Sequence, residues 1–238
     1  MSDLGSKQQR CGYVALVGRP NVGKSTLLNH VLGQKISITS RKPQTTRRNL
    51  IGVDTHDADQ AIYVDTPGIH QQTERELNRY MVSNATSALS DVDLLVVLIE
   101  GGKTMPADEH VLKLVAAHKV PKFAVLSKVD LIKDKELLLP QMQALGELNL
   151  FDQIVPLSAL KADGVASFRD NVFQRLPLGK HFFAEDEVTD QPERFLVAEI
   201  VREKLMRQLG DEIPHSATVV IEHFKLGDKV IDIHADII

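Results

Sequence analysis

Gly18-Arg-Pro-Asn-Val-Gly-Lys-Ser25 is the stretch from which the rest of the chain can be read. It fits the pattern GxxxxGK[ST]. The glycines let the backbone curl until several N–H groups face one anion, and the helix that follows adds its positive N-terminal end. The N–H groups of Asn21, Val22, Gly23, Lys24, Ser25 and Thr26 are therefore the expected phosphate cradle. Lys24 is expected to reach β- and γ-phosphates, and the Ser25 hydroxyl to hold Mg²⁺. At ordinary residue frequencies the pattern arises by accident in about 1% of chains this long. Its surroundings make it more specific: Tyr13-Val-Ala-Leu-Val17 is an apolar run of the kind found in buried strands, and Ser25 to Leu32 reads as a helix closed by Gly33.

Outward from this stretch, strands and helices alternate. Asn49 to Asp54 and Gln60 to Asp65 flank the polar turn His56-Asp-Ala-Asp59 and read as an antiparallel pair. A helix from about Glu74 to Leu89 and a strand Leu94 to Ile99 follow. After these come a helix Asp108 to His118, a strand Phe123 to Leu126, a helix Lys135 to Leu148, a strand Ile154 to Leu157 and a helix Val165 to Leu176. This alternation predicts an α/β fold, a mostly parallel six-stranded sheet covered by helices on both faces. Ligands of such sheets sit beyond the carboxyl ends of the strands.

The remaining polar motifs fall at those ends. Asp65-Thr-Pro-Gly68 places a carboxylate where it can support a metal and a glycine N–H where it can sense a γ-phosphate. Arg41-Lys-Pro-Gln-Thr-Thr-Arg-Arg48 is suited to fold over a polyphosphate, with Thr46 as metal ligand ahead of Thr45. In Ser127-Lys-Val-Asp130 the Asp130 carboxylate can accept from the ring N–H and exocyclic amine of guanine, a donor pair that adenine lacks, and the Lys128 stem can lie along the base. Ser158-Ala159 can offer a backbone N–H to guanine O6. Together these residues describe a nucleotide switch. Lys24, Thr46 and Gly68 act on the reacting phosphate, and Ser25, Thr46 and Asp65 surround Mg²⁺. The competing readings are a nucleotide-dependent binding module with negligible turnover and a P-loop ATPase or kinase.

Composition narrows the setting. The chain has 238 residues, 43% of them hydrophobic and 25% charged, as in ordinary globular proteins. One cysteine, Cys11, rules out an internal disulfide framework. The polar start MSDLGSKQQR lacks the apolar core of a signal peptide, and Leu94 to Ile99 is far short of a membrane span, so a cytoplasmic protein is expected. Nine histidines bring no HxH, HExxH or CxxC spacing, which argues against zinc. The formal charge of −4 hides an asymmetry: residues 1–180 hold 22 basic against 19 acidic residues, whereas residues 181–238 hold 6 against 13.

The wording GRPNVGKSTLLN, SRKPQTTRRN, YVDTPGIH and EIVREKLMRQLG resembles the Era family of GTPases from about Gly12 onward. The resemblance implies a Ras-like G domain over residues 1–180, a linker over 181–190 and the N-terminal part of a type II KH domain over 191–238. It also implies GTP and GDP as ligands, binding to 16S-type ribosomal RNA, and a role in small-subunit assembly, with peripheral association with the inner membrane as a further trait. A related GTPase with another RNA-linked or membrane-linked role is the alternative within this resemblance.

Three departures stand out. The family pattern NKxD reads Ser127-Lys-Val-Asp130, so the amide that braces base and cradle is missing. Ile69 follows Gly68 where Ras-like enzymes carry a catalytic glutamine, which implies slow intrinsic hydrolysis; in several relatives the counterpart of Asn21 helps hold K⁺. No GxxG loop is reached before Ile238, and the acidic tail is a poor electrostatic match to RNA. Within that tail, Gln191 to Leu209 is expected to be a helix with Phe195, Ala198, Val201 or the stem of Arg202, Leu205 and Leu209 on its packed side. Thr218 to Phe224 and Val230 to Ile237 are expected to be strands.

Overall fold

In the computed structural model, residues 9–39, 45–69, 89, 91–209, 217–227 and 230–238 are described. The first strand, β1 (Cys11–Gly18), is buried along nearly its whole length and takes the centre of a six-stranded sheet. Its partners are β3 (Asp59–Asp65) and β4 (Leu94–Glu100), both parallel to it. β5 (Lys122–Ser127) and β6 (Gln153–Pro156) extend the sheet in parallel, and β2 (Leu50–His56) closes the other side antiparallel to β3. The order is β2-β3-β1-β4-β5-β6. Asp57, with φ of 52°, makes the tight turn of the β2–β3 hairpin, as the polar tetrapeptide predicts.

Because side chains alternate across a strand, the apolar run of β1 feeds two cores. Val14 and Leu16 face α1 (Lys24–Leu32) and α4 (Val165–Arg175), meeting Leu27, Leu28, Phe168 and Val172. Ala15 and Val17 face α2 (Pro106–Ala116) and α3 (Leu138–Glu147), meeting Val111, Val115, Leu138 and Leu145. Each such aliphatic side chain contributes about 1.5–3 kcal/mol on burial. α2 begins two residues earlier than periodicity suggests. Pro106 fits the first helical turn, and Asp108 accepts from the Met105 N–H at 2.9 Å. The segment expected as one helix from Lys135 opens as a 3₁₀ turn, Lys135–Leu137, capped by Asp134. The helix expected from Glu74 falls outside the described residues apart from Leu89.

The tail forms α5 (Glu193–Gln208) and a hairpin of β7 (Val219–Leu226) with β8 (Ile231–Ile237). The expected packed side of α5 is only partly right. Phe195 and Leu196 reach the core, but Leu209 is exposed, and the most buried side chains of the helix are Arg202 and Glu203. The reason is polar: both are consumed by hydrogen bonds to a loop far away in sequence, described below. The expected linker is also more tightly held than its composition suggests. Glu185 to Glu187 are exposed, but Val53 N–H donates to Val188 O at 2.8 Å and the Thr189 hydroxyl donates to Ile51 O at 2.6 Å. Residues 188–189 thus lie along the outer edge of β2.

Candidate functional site

The loop after β1 curls because Gly23 sits at φ 115° and Asn21 at φ 59°. α1 then starts with no side-chain cap. Its first N–H groups therefore remain available to an anion, which suits a phosphate. Lys24 is nearly buried, and its Nζ donates to Gly18 O and Arg19 O, both at 3.1 Å. Burial lowers its pKa to about 8, outweighing the opposing pull of the Asp65 carboxylate.

Asp65 ends β3 with no solvent exposure. Its Oδ2 accepts from Ser25 Oγ at 2.6 Å and from Ser37 Oγ at 2.8 Å, and Ser25 Oγ lies 3.2 Å from Thr46 Oγ1. Oδ1 is buried without a hydrogen-bond partner. Burial pushes the carboxyl up, against Lys24 and the two hydroxyls that favour its charged form. One buried carboxylate with an unsatisfied oxygen and the adjacent hydroxyls of Ser25 and Thr46 make an oxygen donor set that fits a hard divalent ion such as Mg²⁺. The Thr-Pro-Gly turn then crosses the cradle. Thr66 Oγ1 donates to Leu16 O at 2.7 Å, and Ile69 N–H donates to Gly18 O at 3.2 Å. A β-carbon on Gly68 would stand 2.7 Å from Pro20 backbone atoms, so only glycine brings this turn so close.

A cavity of about 120 Å³ results, lined by Asn21, Gly23 to Thr26, Thr39, Thr45, Thr46, Gly68 and Lys128. Val22, expected in the cradle by its N–H, is wholly buried beneath it. Ser127 Oγ donates to Val22 O at 2.7 Å, bracing the cradle from β5 despite the missing amide. Asp130 and Ser158 lie outside that cavity but come together, Ser158 Oγ donating to Asp130 Oδ1 at 2.5 Å. The Ser158 N–H donates to Asp163 O at 2.9 Å, so it is not free for guanine, and the expected contact narrows to Ala159.

Sequence reasoning missed Ser37, Glu203 and Arg207, and offered for Arg202 only the packing of its stem. Ser37 fixes the Asp65 carboxylate from the loop after α1, and nothing in its local sequence distinguishes it from any other loop serine. On α5, Glu203 Oε1 accepts from Thr39 N–H at 3.0 Å and its hydroxyl at 3.1 Å. Arg207 Nη2 donates to Thr39 O at 2.9 Å, and Arg202 Nη2 donates to Thr45 O at 2.7 Å. The helix thereby grips residues on both sides of 40–44, next to Thr46.

Comparison with known proteins bears on this geometry. A family model described as 50S ribosome-binding GTPase matches residues 13–128. Curated relatives named GTPase Era include one from Azotobacter vinelandii, 51% identical over 95% of this chain and 75% of its own length. Another, from Pseudomonas fluorescens, is 51% identical over 98% of this chain and 78% of its own length. A crystal structure of Era with MgGDPNP and nucleotides 1506-1542 of 16S ribosomal RNA superposes with a TM-score of 0.89 at 37% identity, covering 96% of this chain and 78% of that one. The FeoB G-domain of Methanococcus jannaschii, at 21% identity and a TM-score of 0.51, shares the fold alone.

Proposed function

Because this chain belongs to the Era family of GTPases, we propose that it is a GTP-hydrolysing switch that binds 16S-type ribosomal RNA and acts in assembly of the small ribosomal subunit, in the cytoplasm. The observation that carries the proposal is the cluster of Ser25, Thr46 and Ser37 around the buried, half-satisfied Asp65 carboxylate, beside Lys24 and the open end of α1. The family model's description names the other subunit, but it covers only residues 13–128. The Era relatives match the tail as well, so the small-subunit reading takes precedence.

In this reading the N–H groups of Asn21 to Thr26 bind the β- and γ-phosphates and Lys24 neutralises charge that develops between them. Ser25, Thr46 and Asp65 would hold Mg²⁺, which when bound neutralises phosphate charge and orients the γ-phosphoryl group. Gly68 N–H senses the γ-phosphate, and its loss on hydrolysis frees Gly68 and Thr46 together. Asp130 selects guanine, with Lys128 along the base and Ala159 at O6. Asn21, held at φ 59° beside the phosphates, is the residue through which K⁺ would act. At the position after Gly68, Ile69 is 1% exposed and its N–H is spent on Gly18. No side chain there can orient water, so intrinsic turnover is slow. Among the described residues no helix is long and apolar enough to cross a membrane.

Phosphate release from GTP, measured with Mg²⁺ in KCl and in NaCl, tests the enzyme. Competition of GDP against ADP tests the base reading, and retention of a 3′ fragment of 16S ribosomal RNA in the presence of GTP tests the partner. Release that requires GTP and Mg²⁺ is expected. ADP competing as well as GDP would overturn the assignment, and undetectable single-turnover cleavage would favour the binding module.

A further inference from the structure

Two cations of the nucleotide site share one carboxylate. Glu100, the last residue of β4, lies next to Ser127 in the sheet register. Its Oε2 accepts from Arg19 Nη2 at 2.5 Å and from Lys128 Nζ at 3.2 Å, and its side chain is only 13% exposed. Burial alone would push the Glu100 carboxyl up, but the hydrogen bonds from Arg19 and Lys128 outweigh it and hold the group below the ordinary carboxylate range. The backbone around it is fixed as well: Gln141 Nε2 donates to Glu100 O at 3.1 Å, and Gly101 N–H donates to Ser127 O at 2.9 Å. Arg19 also lies in ion-pair range of a second carboxylate, its Nε 3.3 Å from an oxygen of the fully buried Asp108 but without a hydrogen bond to it.

Arg19 is the first residue of the phosphate loop after Gly18, and Lys128 belongs to the base-reading loop. We propose that Glu100 is a positioning residue of the nucleotide site: it fixes Lys128 Nζ so that the lysine stem lies over the purine, and through Arg19 it ties that stem to the start of the phosphate loop. The proposal rests on the reading that residues 18–25 bind a guanine nucleotide. A free lysine side chain samples many rotamers, and ordering it on binding subtracts from affinity. Holding its far end in advance on a largely buried carboxylate removes that cost. It also means that a displaced phosphate loop moves the base platform, since both hang on one oxygen.

The test is a double-mutant cycle read as the dissociation constant of a fluorescent GDP analogue with Mg²⁺, in the full chain. Glu100→Gln and Lys128→Met are each expected to weaken binding about tenfold, and the pair together about tenfold instead of a hundredfold, because they break one linkage. Met keeps the stem and removes the anchored charge. A purely structural role for Glu100 would instead give losses that multiply. Multiplying losses, or a Glu100→Gln protein that binds like the wild type, would overturn the proposal. If Glu100→Gln no longer melts cooperatively, Lys128→Met decides alone, and wild-type affinity in that variant overturns it. A wild-type chain that binds no GDP would instead defeat the underlying nucleotide reading, and is recognised as such because it appears before any substitution.

Discussion

Replacing Ser127 with alanine removes one hydroxyl and leaves Val22 O without its donor. Ser127 is 3% exposed and Val22 is not exposed at all, so water cannot take over the bond without the cradle opening. Ser127 Oγ stands 2.7 Å from Val22 O and 3.2 Å from Ile99 O, and its single proton serves the nearer acceptor. A buried carbonyl left unsatisfied costs about 1–3 kcal/mol, equivalent to roughly 5- to 150-fold in an equilibrium constant. That cost is divided between folding stability and nucleotide affinity, because the unbraced loop can relax in the free protein and must be reordered by phosphate. GDP titration by calorimetry with Mg²⁺, together with the thermal midpoint, measures both parts. The expected result is at least about fivefold weaker GDP binding with a modestly lower midpoint. The converse change, Ser127→Asn, restores a carboxamide. A β-carbon built on Gly23 would meet only Ser127 Cβ, at 4.0 Å, so there is space for the longer group. A gain of about tenfold, 1.4 kcal/mol, is expected. If Ser127→Ala matched the wild type in both affinity and midpoint, the brace would be refuted.

Lys24 has a pKa of about 8 in the folded chain against 10.5 ordinarily, so the free protein releases this proton as pH rises through about 8, while phosphate favours the charged amine. GDP affinity should fall by up to about tenfold per pH unit above that point, and a flat profile from neutral to alkaline pH would contradict it. Asp65 is the opposite case. With its pKa raised by burial, its contribution to stability is complete below the unfolded carboxylate range and is lost as pH rises through the folded value, so at neutral pH its charge destabilises the free fold. Asp65→Asn should raise the melting temperature of the nucleotide-free protein, by about 2–4 °C for each kcal/mol relieved, and abolish stabilisation by Mg²⁺ with GTP. Differential scanning calorimetry with and without Mg²⁺–GTP decides it, and a lower melting temperature would count against the charge argument. Arg202→Ala removes a buried donor to Thr45 O. A loss of about 1.5–3 kcal/mol, roughly tenfold or more, is expected in binding of a Mg²⁺–GTP analogue. Metal-free GDP should bind nearly as before, and equal losses for both ligands would show that Arg202 does not act through Thr46.

What was legible in the sequence was what local chemistry determines. The apolar runs located the strands and GxxxxGK[ST] located the cradle. The positions of Asp65, Ser127 and Asp130 at strand ends followed once the alternation was read. The unreadable part depends on partners distant in the chain. Glu203 sits in a helix whose apolar spacing suggests a different buried face, and for Arg202 that spacing offers only its stem as an alternative to Val201. Their burial is understood only from Thr39 and Thr45, more than a hundred residues earlier. Ser158-Ala159 is expected to offer a backbone N–H to a base, and only the turn to Asp163, which uses the Ser158 group, narrows the pair to Ala159. Glu100 follows the apolar run Leu94 to Ile99, and nothing local predicts that Arg19 and Lys128 converge on it. Pro106 is itself a local signal for a first helical turn, two residues ahead of the start that apolar spacing predicts.

The strip at Val188 and Thr189 has a consequence beyond joining the two parts of the chain. β2 is an outer strand of the sheet, and its Val53 N–H and Ile51 C=O point away from β3. Left bare, such a row is a template on which another polypeptide can add as a further strand. Here the chain fills those positions itself, so the same residues that carry the backbone toward α5 also keep two copies of the protein from joining edge to edge.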